Sequence, residues 1–360
     1  MMDYKQTLMW KEINETKDIL EKILPANKTV LAKIAQLVKE RKIRHVVLAS
    51  RGTSRHAGIY FKYLAEIFTD MIVTTEYPSV ITVYNGKVNY KDALVIGISQ
   101  SGRAADAIEI LKRAKKHGAL TMSITNNSES DMAKTGEFHL CLNAGDEKSV
   151  AATKTFTAQL YLLALLALMI ADDKTKLKQL ENMAQKIKTD IAKIDELSTQ
   201  AVEGYQNMRD GFILARGITY PIALEAALKL QETSYLKMQG YAISDFYHGP
   251  MAMVEEGAEI IVYASKIGFV SEVDEAAHFV DIQKFLDRVN KLKANVLIIT
   301  DDIRYKDKNK NIIMLPKGGN EINMMIYFAV FAQMFTCKLA GIKGNNPDTP
   351  RSLKKVTITK

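Results

Sequence analysis

The feature that most constrains this chain is an alternation of short β-branched, apolar runs with longer helical segments, which occurs in two series. Such alternation is typical of parallel sheets covered by helices on both faces. In the first series we predict strands at 45–49, 93–98, 119–125 and 138–142, and helices near 54–68, 103–117 and 153–171. In the second we predict strands at 211–215, 259–264, 295–300 and 311–315, and helices near 221–238, 272–292 and 321–341.

The two series also share a local motif. Residues 46–54 read Val-Val-Leu-Ala-Ser-Arg-Gly-Thr-Ser, and residues 212–219 read Phe-Ile-Leu-Ala-Arg-Gly-Ile-Thr. In both, an apolar strand runs through Arg-Gly into a helix, so we infer a duplicated, doubly wound α/β domain. The predicted parts are an N-terminal helical segment at 1–44 with apolar runs on either side of Pro25, a first domain at 45–171, a helical linker at 172–207, a second domain at 208–345 and a C-terminal tail at 346–360.

Composition and charge exclude several classes of protein. The longest nearly uncharged apolar stretch, 160–171, is shorter than the ~20 residues that cross a bilayer, so no membrane is expected. A charged N-terminus without a signal peptide and two distant cysteines, Cys141 and Cys337, fit a reducing cytoplasm with neither disulfide nor metal site. The net charge of +8 comes from lysines interleaved with acidic residues, which favours an anionic small molecule over nucleic acid as the partner.

Two hydroxyl-rich segments follow predicted strands and precede helices, at 50–54 (Ser-Arg-Gly-Thr-Ser) and 99–102 (Ser-Gln-Ser-Gly). Ligands of open parallel sheets lie at the carboxyl ends of strands, where helix N-termini offer N–H groups to phosphate. The alternative is that these serines are ordinary helix caps. Two such turns in one domain favour phosphate binding.

Three further features could carry chemistry. Glu225, Lys229 and Glu232 share one face of a predicted helix, although an exposed ion pair would show the same spacing. His248 stands in a Gly-Pro turn, where its ring could reach a ligand or simply be exposed. The basic segment 348–357 is either a frayed tail or part of a site.

Taken together, these segments resemble the isomerase half of the glutamine:fructose-6-phosphate amidotransferases and their stand-alone sugar-isomerase (SIS) relatives, which include glucosamine-6-phosphate deaminases. The resemblance covers nearly the whole chain and implies two tandem SIS domains. Its six motifs, in order, are Arg-Gly-Thr-Ser at 51–54, Ser-Gln-Ser-Gly at 99–102, Ala-Ala-Thr-Lys-Thr-Phe at 151–156, Leu-Glu-Ala-Ala-Leu-Lys-Leu-Gln-Glu at 224–232, His-Gly-Pro at 248–250 and Asp-Thr-Pro-Arg-Ser-Leu-Lys-Lys at 348–355.

The resemblance implies a role for each matching residue. Thr53 and the backbone near Val150 would contact the sugar, and the phosphate would be held by Ser54, Ser99, Gln100 and Ser101. Glu232 would transfer the proton between C1 and C2, and Lys229 and Glu225 would support it. His248, supplied by a neighbouring subunit of a homodimer, would open the sugar ring, and Lys355 of a tail closing over the site would lie beside the open-chain carbonyl.

The expected activity is deamination of glucosamine 6-phosphate to fructose 6-phosphate and ammonia, without metal, nicotinamide or flavin. No glutaminase segment precedes the matching region, so amide-driven synthesis is not the expected direction. Two departures, Ala104 and Ala152, stand where the synthases carry hydroxyl residues, and Arg103 or Lys154 could compensate. The alternatives are galactosamine 6-phosphate deamination, simple aldose-ketose isomerisation, deglycation of a 6-phosphorylated fructosamine, or a non-catalytic phosphosugar sensor.

Overall fold

Five parallel strands form the first sheet, in the order β2-β1-β3-β4-β5. The computed structural model describes residues 2–266 and 275–355. The strands are β1 His45–Ala49, β2 Ile72–Thr75, β3 Ala93–Ile98, β4 Leu120–Thr125 and β5 Phe138–Cys141. Central strands β3 and β4 are buried along their whole length because helices cover both faces of the sheet.

The helices that follow these strands are α2 Gly52–Phe68, α3 Ser79–Thr82, α4 Ala105–Lys116, α5 Asp131–Thr135 and α6 Lys154–Ile170. Helix α6 is apolar on all sides, and its residues from Lys154 to Leu168 are buried. A helix without a polar face must lie in the core, and α6 packs on α2. It is therefore a fixed support for side chains that project from it.

A second sheet repeats the arrangement, in the order β10-β9-β8-β6-β7. Its parallel strands are β6 Asp210–Ala215, β7 Lys237–Ala242, β8 Glu259–Ala264, β9 Asn295–Thr300 and β10 Ile312–Met314. The helices beside it are α8 Tyr220–Ser234, α9 Ile243–Phe246, α10 Glu275–Lys291 and α11 Glu321–Ile342. Short 3-10 helices lie at Gly217–Thr219, Pro250–Met253 and Ile303–Tyr305.

Helix α11 is long and apolar enough to cross a membrane by length and composition, but 94% of its apolar window is buried inside the protein. It belongs to the core of the second sheet, where it packs on α8.

Two long helices complete the fold, α1 Leu8–Glu40 and α7 Lys174–Val202, and a 3-10 turn at Tyr4–Gln6 precedes α1. Helix α1 joins the two predicted apolar runs through Pro25, because buried side chains on both sides, such as Leu20 and Leu31, keep the helix packed. Its Asn27 donates to the Cys141 carbonyl (2.9 Å) and accepts from the Cys141 N–H (3.0 Å), which satisfies an edge strand.

The chain divides into two units, each with its own sheet. The β1–β5 unit comprises 15–147, 154–184 and 354–355, and the β6–β10 unit comprises 2–14, 148–153, 185–266 and 275–353. The prediction of two parallel, helix-flanked sheets is confirmed. The predicted domain boundaries remain predictions.

The sequence patterns missed two of the four edge strands, β2 and β7, and predicted the other two, β5 and β10. The helix predicted at 221–238 was too long, because it ends at Ser234 where Tyr235 takes a left-handed conformation (φ 56°) and the chain turns into β7. The helix predicted from 272 begins at Glu275 within the described residues, and 272–274 lie outside them.

Candidate active site

The predicted phosphate-binding turns lie side by side at one edge of the first sheet. Strands β1 and β3 pair in parallel, with Ala49 beside Gly97, so the turns after them leave the sheet at the same edge. The chain runs from β1 to β2 on one side and returns to β3 on the other, which makes this edge the topological switch point of the sheet. Open α/β sheets bind their ligands at such points.

The first turn, 50–54, brings a helix N-terminus to this edge. Gly52 takes a left-handed φ of 51°, and a Cβ built there would meet nothing within 4 Å, so the backbone is open on that side. The N-cap residue of α2, Arg51, makes no side-chain capping hydrogen bond. Ser54 is buried, and its Oγ accepts a hydrogen bond from Gln159 Nε2 (3.0 Å) on α6. Thr53 is partly buried beside it.

The second turn, 99–102, is closed by its own serines. Ser99 Oγ accepts from the Gly102 N–H (3.2 Å), and Ser101 Oγ accepts from the Arg103 N–H (3.3 Å). Gly102 has a φ of 66°, and a Cβ there would lie 2.0 Å from Ser130 Oγ, so only glycine fits. Helix α4 begins at Ala105, and its N-cap residue, Ala104, makes no side-chain capping hydrogen bond. Gln100 and Ser101 are partly exposed.

An ion pair that the sequence did not predict joins the two turns. The Arg51 guanidinium binds the carboxylate of Asp106, which is buried in the first turn of α4 and also accepts from the Ala107 N–H (2.8 Å). The clue in the sequence was an acidic residue in the first turn of a predicted helix, a favoured place for negative charge. The pair fixes the start of α2 against the start of α4.

The tail residue Lys355 lies in the same unit and is bound to a buried carboxylate. Its ε-ammonium donates to Glu147 Oε2 (2.7 Å), and Glu147 also accepts from the backbone N–H (3.1 Å) and the hydroxyl (2.8 Å) of Thr155. Thr155 is one helical turn before Gln159 on α6, so both side chains lie on the same face of that helix. The β1–β5 unit thus brings Lys355 and the Ser54 turn to neighbouring points of one buried helix.

The β6–β10 unit holds the predicted charged face on α8. Lys229 Nζ binds the carboxylate of Glu232 and lies 3.4 Å from Glu225 Oε1. Lys229 and Glu225 are buried, whereas the Glu232 side chain is 21% exposed. Burial alone would lower the pKa of Lys229, but the charges of Glu225 and Glu232 and their hydrogen bonds outweigh it, so its pKa is raised.

The arrangement on α8 is therefore not an exposed surface pair. The ammonium is held charged between two carboxylates, and Glu232 is the member of the three with solvent access. A carboxylate that is positioned by a fixed cation and still accessible is suited to accept and return a proton.

His248 is exposed in the turn between α9 and the 3-10 helix Pro250–Met253. The backbone N–H of His248 donates to the Asp245 carbonyl (3.0 Å). The following Gly249 has a φ of 151°, a backbone conformation that favours glycine. The ring is thus presented to solvent from a fixed turn.

The segments around Val150 and the start of the tail are tied together in the β6–β10 unit. The Val150 N–H donates to the Asp348 carbonyl (3.1 Å), and the Asp348 carboxylate accepts from the first N–H groups of α1, at Leu8 and Met9 (both 2.8 Å). The Arg351 N–H donates to the Tyr235 hydroxyl (3.1 Å), and its guanidinium lies 3.8 Å from the centre of that ring. Residues 348–351 are therefore anchored, not frayed.

The two departures from the family pattern have different surroundings. Ala104 is the residue before α4 and supplies no cap, while Ala152 is partly buried in the segment before α6. Lys154 is buried and paired with Glu15 (2.5 Å), which commits its charge elsewhere. Arg103 is exposed beside the second turn.

The corresponding edge of the second sheet carries acidic groups. Ser265 follows β8 as Ser99 follows β3, but its Oγ donates to Asp301 Oδ1 (3.2 Å), which also accepts from the Lys266 N–H (2.9 Å). Burial raises the pKa of Asp301, against the effect of these two hydrogen bonds. Arg216, after β6, pairs with Asp281 of α10 (2.7 Å).

A duplicated, doubly wound α/β protein with a hydroxyl-lined turn at one switch point is the class that fold and site define. The SIS domain model matches twice, at residues 39–169 and 205–343, and the chain belongs to the SIS domain family.

Known proteins place the chain more closely. It is 32% identical over 326 residues, which are 88% of this chain and 52% of the relative, to the glutamine–fructose-6-phosphate aminotransferase (isomerizing) of Buchnera aphidicola subsp. Baizongia pistaciae. The chain spans about half the length of the curated relatives it matches.

Solved structures agree. The C-terminal domain of glucosamine-fructose-6-phosphate aminotransferase from Francisella tularensis has a TM-score of 0.82 and 26% identity, covering 96% of this chain and 98% of that one. Glucosamine-6-phosphate deaminase from Thermotoga maritima shares the fold, with a TM-score of 0.75 at 20% identity over 98% of this chain and all of that one. The resemblance to the aminotransferase isomerase region is confirmed.

Proposed function

We propose that this chain is an isomerase-type enzyme acting on 6-phosphosugars, and that its net reaction is the conversion of glucosamine 6-phosphate to fructose 6-phosphate and ammonia. The observation that carries the proposal is the double attachment on α6. Gln159 binds Ser54 of the first hydroxyl turn, and Thr155, four residues earlier, binds the Glu147 carboxylate that holds Lys355. A phosphate-binding turn and an amine suited to a sugar carbonyl are thus supported by one helix.

The phosphate would lie at the switch-point edge between β1 and β3. Two helix N-termini, whose N-cap residues Arg51 and Ala104 make no capping hydrogen bond, and small hydroxyl side chains offer neutral donors there, which suits a dianionic phosphate. The names of the relatives, which include fructose-6-phosphate and glucosamine-6-phosphate, support this class of ligand. The ligand-binding residues proposed are Thr53, Ser54, Ser99, Gln100, Ser101 and the backbone of Val150.

The chemistry would begin with ring opening assisted by His248 and continue with a proton shift. Glu232 takes the proton from C2 of the open-chain amino sugar and returns it to C1, and a second proton passes from the amine nitrogen to O1, so that the C1 aldehyde becomes a CH₂OH group and C2 becomes an imine. Water then adds at C2 and ammonia leaves, giving fructose 6-phosphate. Lys229 and Glu225 hold Glu232 in place, and Lys355 lies by the open-chain carbonyl.

The proton shift between C1 and C2 has a second line of support, because the curated relatives are isomerizing enzymes. Simple aldose-ketose isomerisation, galactosamine 6-phosphate deamination and fructosamine 6-phosphate deglycation use the same step and are its direct alternatives. We also propose a homodimer in the cytoplasm, in which His248, exposed on its turn, serves the neighbouring subunit.

The test is incubation of the purified protein with glucosamine 6-phosphate, galactosamine 6-phosphate or fructose 6-phosphate, with ammonia and ketose measured together. Equal amounts of ammonia and fructose 6-phosphate from the glucosamine ester alone would support the deaminase. Deuterium incorporation at C1 of fructose 6-phosphate in D₂O without ammonia release would leave an isomerase.

Variants then assign the proton carrier. Glu232→Gln should lower kcat by about 10²- to 10⁴-fold, the usual size of general acid-base catalysis, with phosphosugar binding retained by calorimetry. Glu203→Gln is the matched control, because Glu203 is an exposed carboxylate of the same unit. Undiminished turnover in Glu232→Gln would remove this residue from the mechanism.

A further inference from the structure

Glu147 is a buried carboxylate to which the family motifs and the proposed reaction assign no role. Its side chain has no solvent exposure, and both of its oxygens accept hydrogen bonds in the β1–β5 unit. A buried charge is costly unless it is paired, and the cation paired with Glu147 is Lys355, from the C-terminal tail.

We propose that Glu147 is a positioning residue that fixes the ε-ammonium of Lys355 for the reaction, an inference that rests on the proposed function. The partners of Glu147 include two of different kinds, Thr155 and Lys355. Thr155, in the first turn of α6, fixes the Glu147 carboxylate by donating its N–H and its hydroxyl to it. The carboxylate in turn fixes the position of the Lys355 ammonium, which donates to it. The catalytic amine is thus located by a helix that also holds Ser54 through Gln159.

The tail itself does not fix the amine. Residues 351–354 are exposed, and a lysine on such a segment has four rotatable bonds to order, whereas the Lys355 side chain is only 23% exposed at its contact with Glu147. The carboxylate has little freedom, because α6 is buried and its N-terminus attracts negative charge. Ordering an amine in advance lowers the entropy cost of reaction, which is what a positioning residue contributes.

Capping of α6 is the other role that Glu147 could have, and it makes a different prediction. A cap needs only the Thr155 bonds, which a glutamine can largely keep. Glu147→Gln removes the charge that holds Lys355 and leaves an acceptor for the Thr155 N–H. A pure cap would therefore tolerate Glu147→Gln, whereas a positioning residue would not.

The experiment is a double-mutant cycle with Glu147→Gln and Lys355→Met, read as kcat and KM on glucosamine 6-phosphate. We expect Glu147→Gln to lower kcat by about 10- to 100-fold with little change in KM, because misplacing a reacting group by about 1 Å has an effect of that order. In the Lys355→Met background, Glu147→Gln should have no further effect. An equal loss in both backgrounds, or no loss in the wild-type background, would overturn the proposal.

The matched control is Glu129→Gln, which breaks an exposed Glu-Lys pair of the same unit, Glu129 with Lys134 (3.0 Å), and should change neither constant. Thermal melting of each variant identifies a folding defect. If Glu147→Gln melts more than a few degrees early, Glu147→Asp, which keeps the charge, must restore kcat for the proposal to stand.

A second measurement separates this proposal from the proposed function. Acetylation of Lys355 by acetic anhydride, followed by peptide mass spectrometry, needs no turnover, and exposed Lys354 is the internal standard. Lys355 should react at least several-fold more slowly than Lys354 in the wild type and at a similar rate in Glu147→Gln. Equal rates in the wild type would refute the positioning contact even in an active enzyme. Protection without turnover on any phosphosugar would refute the proposed function and keep the contact.

Discussion

The two sheets repeat one plan and carry opposite chemistry at the same places. Each has a strand followed by Arg-Gly with a left-handed glycine, Gly52 or Gly217, and in each the arginine pairs with an aspartate on the helix that follows the third strand of its series. The residue after the fourth strand then differs. In the first sheet this residue is Asn126, which is hydrogen-bonded to the backbone at 144–145. In the second sheet it is Asp301, which accepts a hydrogen bond from the Ser265 hydroxyl.

The first helix after each Arg-Gly turn also differs between the two copies, and here too the second copy carries the charged residues. Counting 165 positions from Gly52 to Gly217, Glu225 and Lys229 of α8 correspond to Tyr60 and Leu64 of α2. All four are buried, but α2 buries an apolar pair and α8 an ionic one. One copy therefore carries the hydroxyl-rich turns for which we propose phosphate binding, and the other carries the ionic helix for which we propose proton transfer. Duplication allows each copy to keep only one of these demanding features.

The largest effect should come from the ionic helix. Lys229→Met leaves two carboxylates near each other without their cation, and losing one partner of a buried ionic group costs about 3–5 kcal/mol. Leu64→Met, at the corresponding position of α2, conserves volume and should cost less than about 1.5 kcal/mol. Chemical denaturation of both variants measures the free energies of unfolding. Similar losses would mean that the two helices do not differ in the way described.

The next effect concerns substrate binding at the two edges. Ser99→Ala should raise KM for the phosphosugar by about 10- to 100-fold, because a hydrogen bond to a charged group contributes about 1.5–3 kcal/mol. Ser265→Ala, at the corresponding position of the second sheet, should leave KM unchanged since Ser265 is bonded to Asp301. A rise in KM for both variants would place ligand at both edges.

The sequence predicted every central strand and the edge strands β5 and β10, but it missed the other two edge strands, β2 and β7. Strand β7, Lys-Met-Gln-Gly-Tyr-Ala, has no apolar run, and strand β2, Ile-Val-Thr-Thr, has only two apolar residues, of which Val73 is buried. Strands β2 and β7 are stabilised by pairing with β1 and β6, and a local sequence pattern does not predict such pairing. Position in the sheet, not composition, makes these segments strands.

The candidate site was predictable where its residues lie in one local segment. The spacing of Glu225, Lys229 and Glu232 predicted a shared helix face, and the structure adds that Glu225 and Lys229 are buried and that Glu232 is partly exposed. Glu147 and Asp106 could not be predicted, because their partners Lys355 and Arg51 are 208 and 55 residues away. Such contacts depend on how the chain folds back on itself, which spacing does not reveal.

A smaller effect is expected at the paired glycines. Alanine at a left-handed φ costs about 1–2 kcal/mol, and a Cβ has room at both Gly52 and Gly217, so Gly52→Ala and Gly217→Ala should lower Tm by similar amounts. Only Gly52→Ala should also raise KM, because the added methyl group enters the proposed phosphate-binding turn. An unchanged KM in Gly52→Ala would show that the phosphate does not approach the backbone there.

The smallest effect tests the acidic edge through pH. Because burial raises the pKa of Asp301 above that of an unfolded aspartate, the folded state binds more protons in the interval between the two values, and stability is lost as pH rises through the folded pKa. Asp301→Asn keeps an acceptor for Ser265 and Lys266 and removes this loss. The Tm of the variant relative to the wild type should therefore rise as the pH is raised above the pKa of an unfolded aspartate, about 3.9.

The reverse exchange completes this test. Asn126→Asp introduces a carboxylate at the first edge and removes the amide donor to the Gly145 carbonyl (2.7 Å), so it should weaken phosphosugar binding, whereas Asp301→Asn should leave KM unchanged. A pH-independent difference in Tm for Asp301→Asn would contradict the raised pKa of Asp301. An unaltered KM in Asn126→Asp would show that the charge at this position does not decide which edge accepts the anion, and the hydroxyls of the two turns would then have to account for the preference alone.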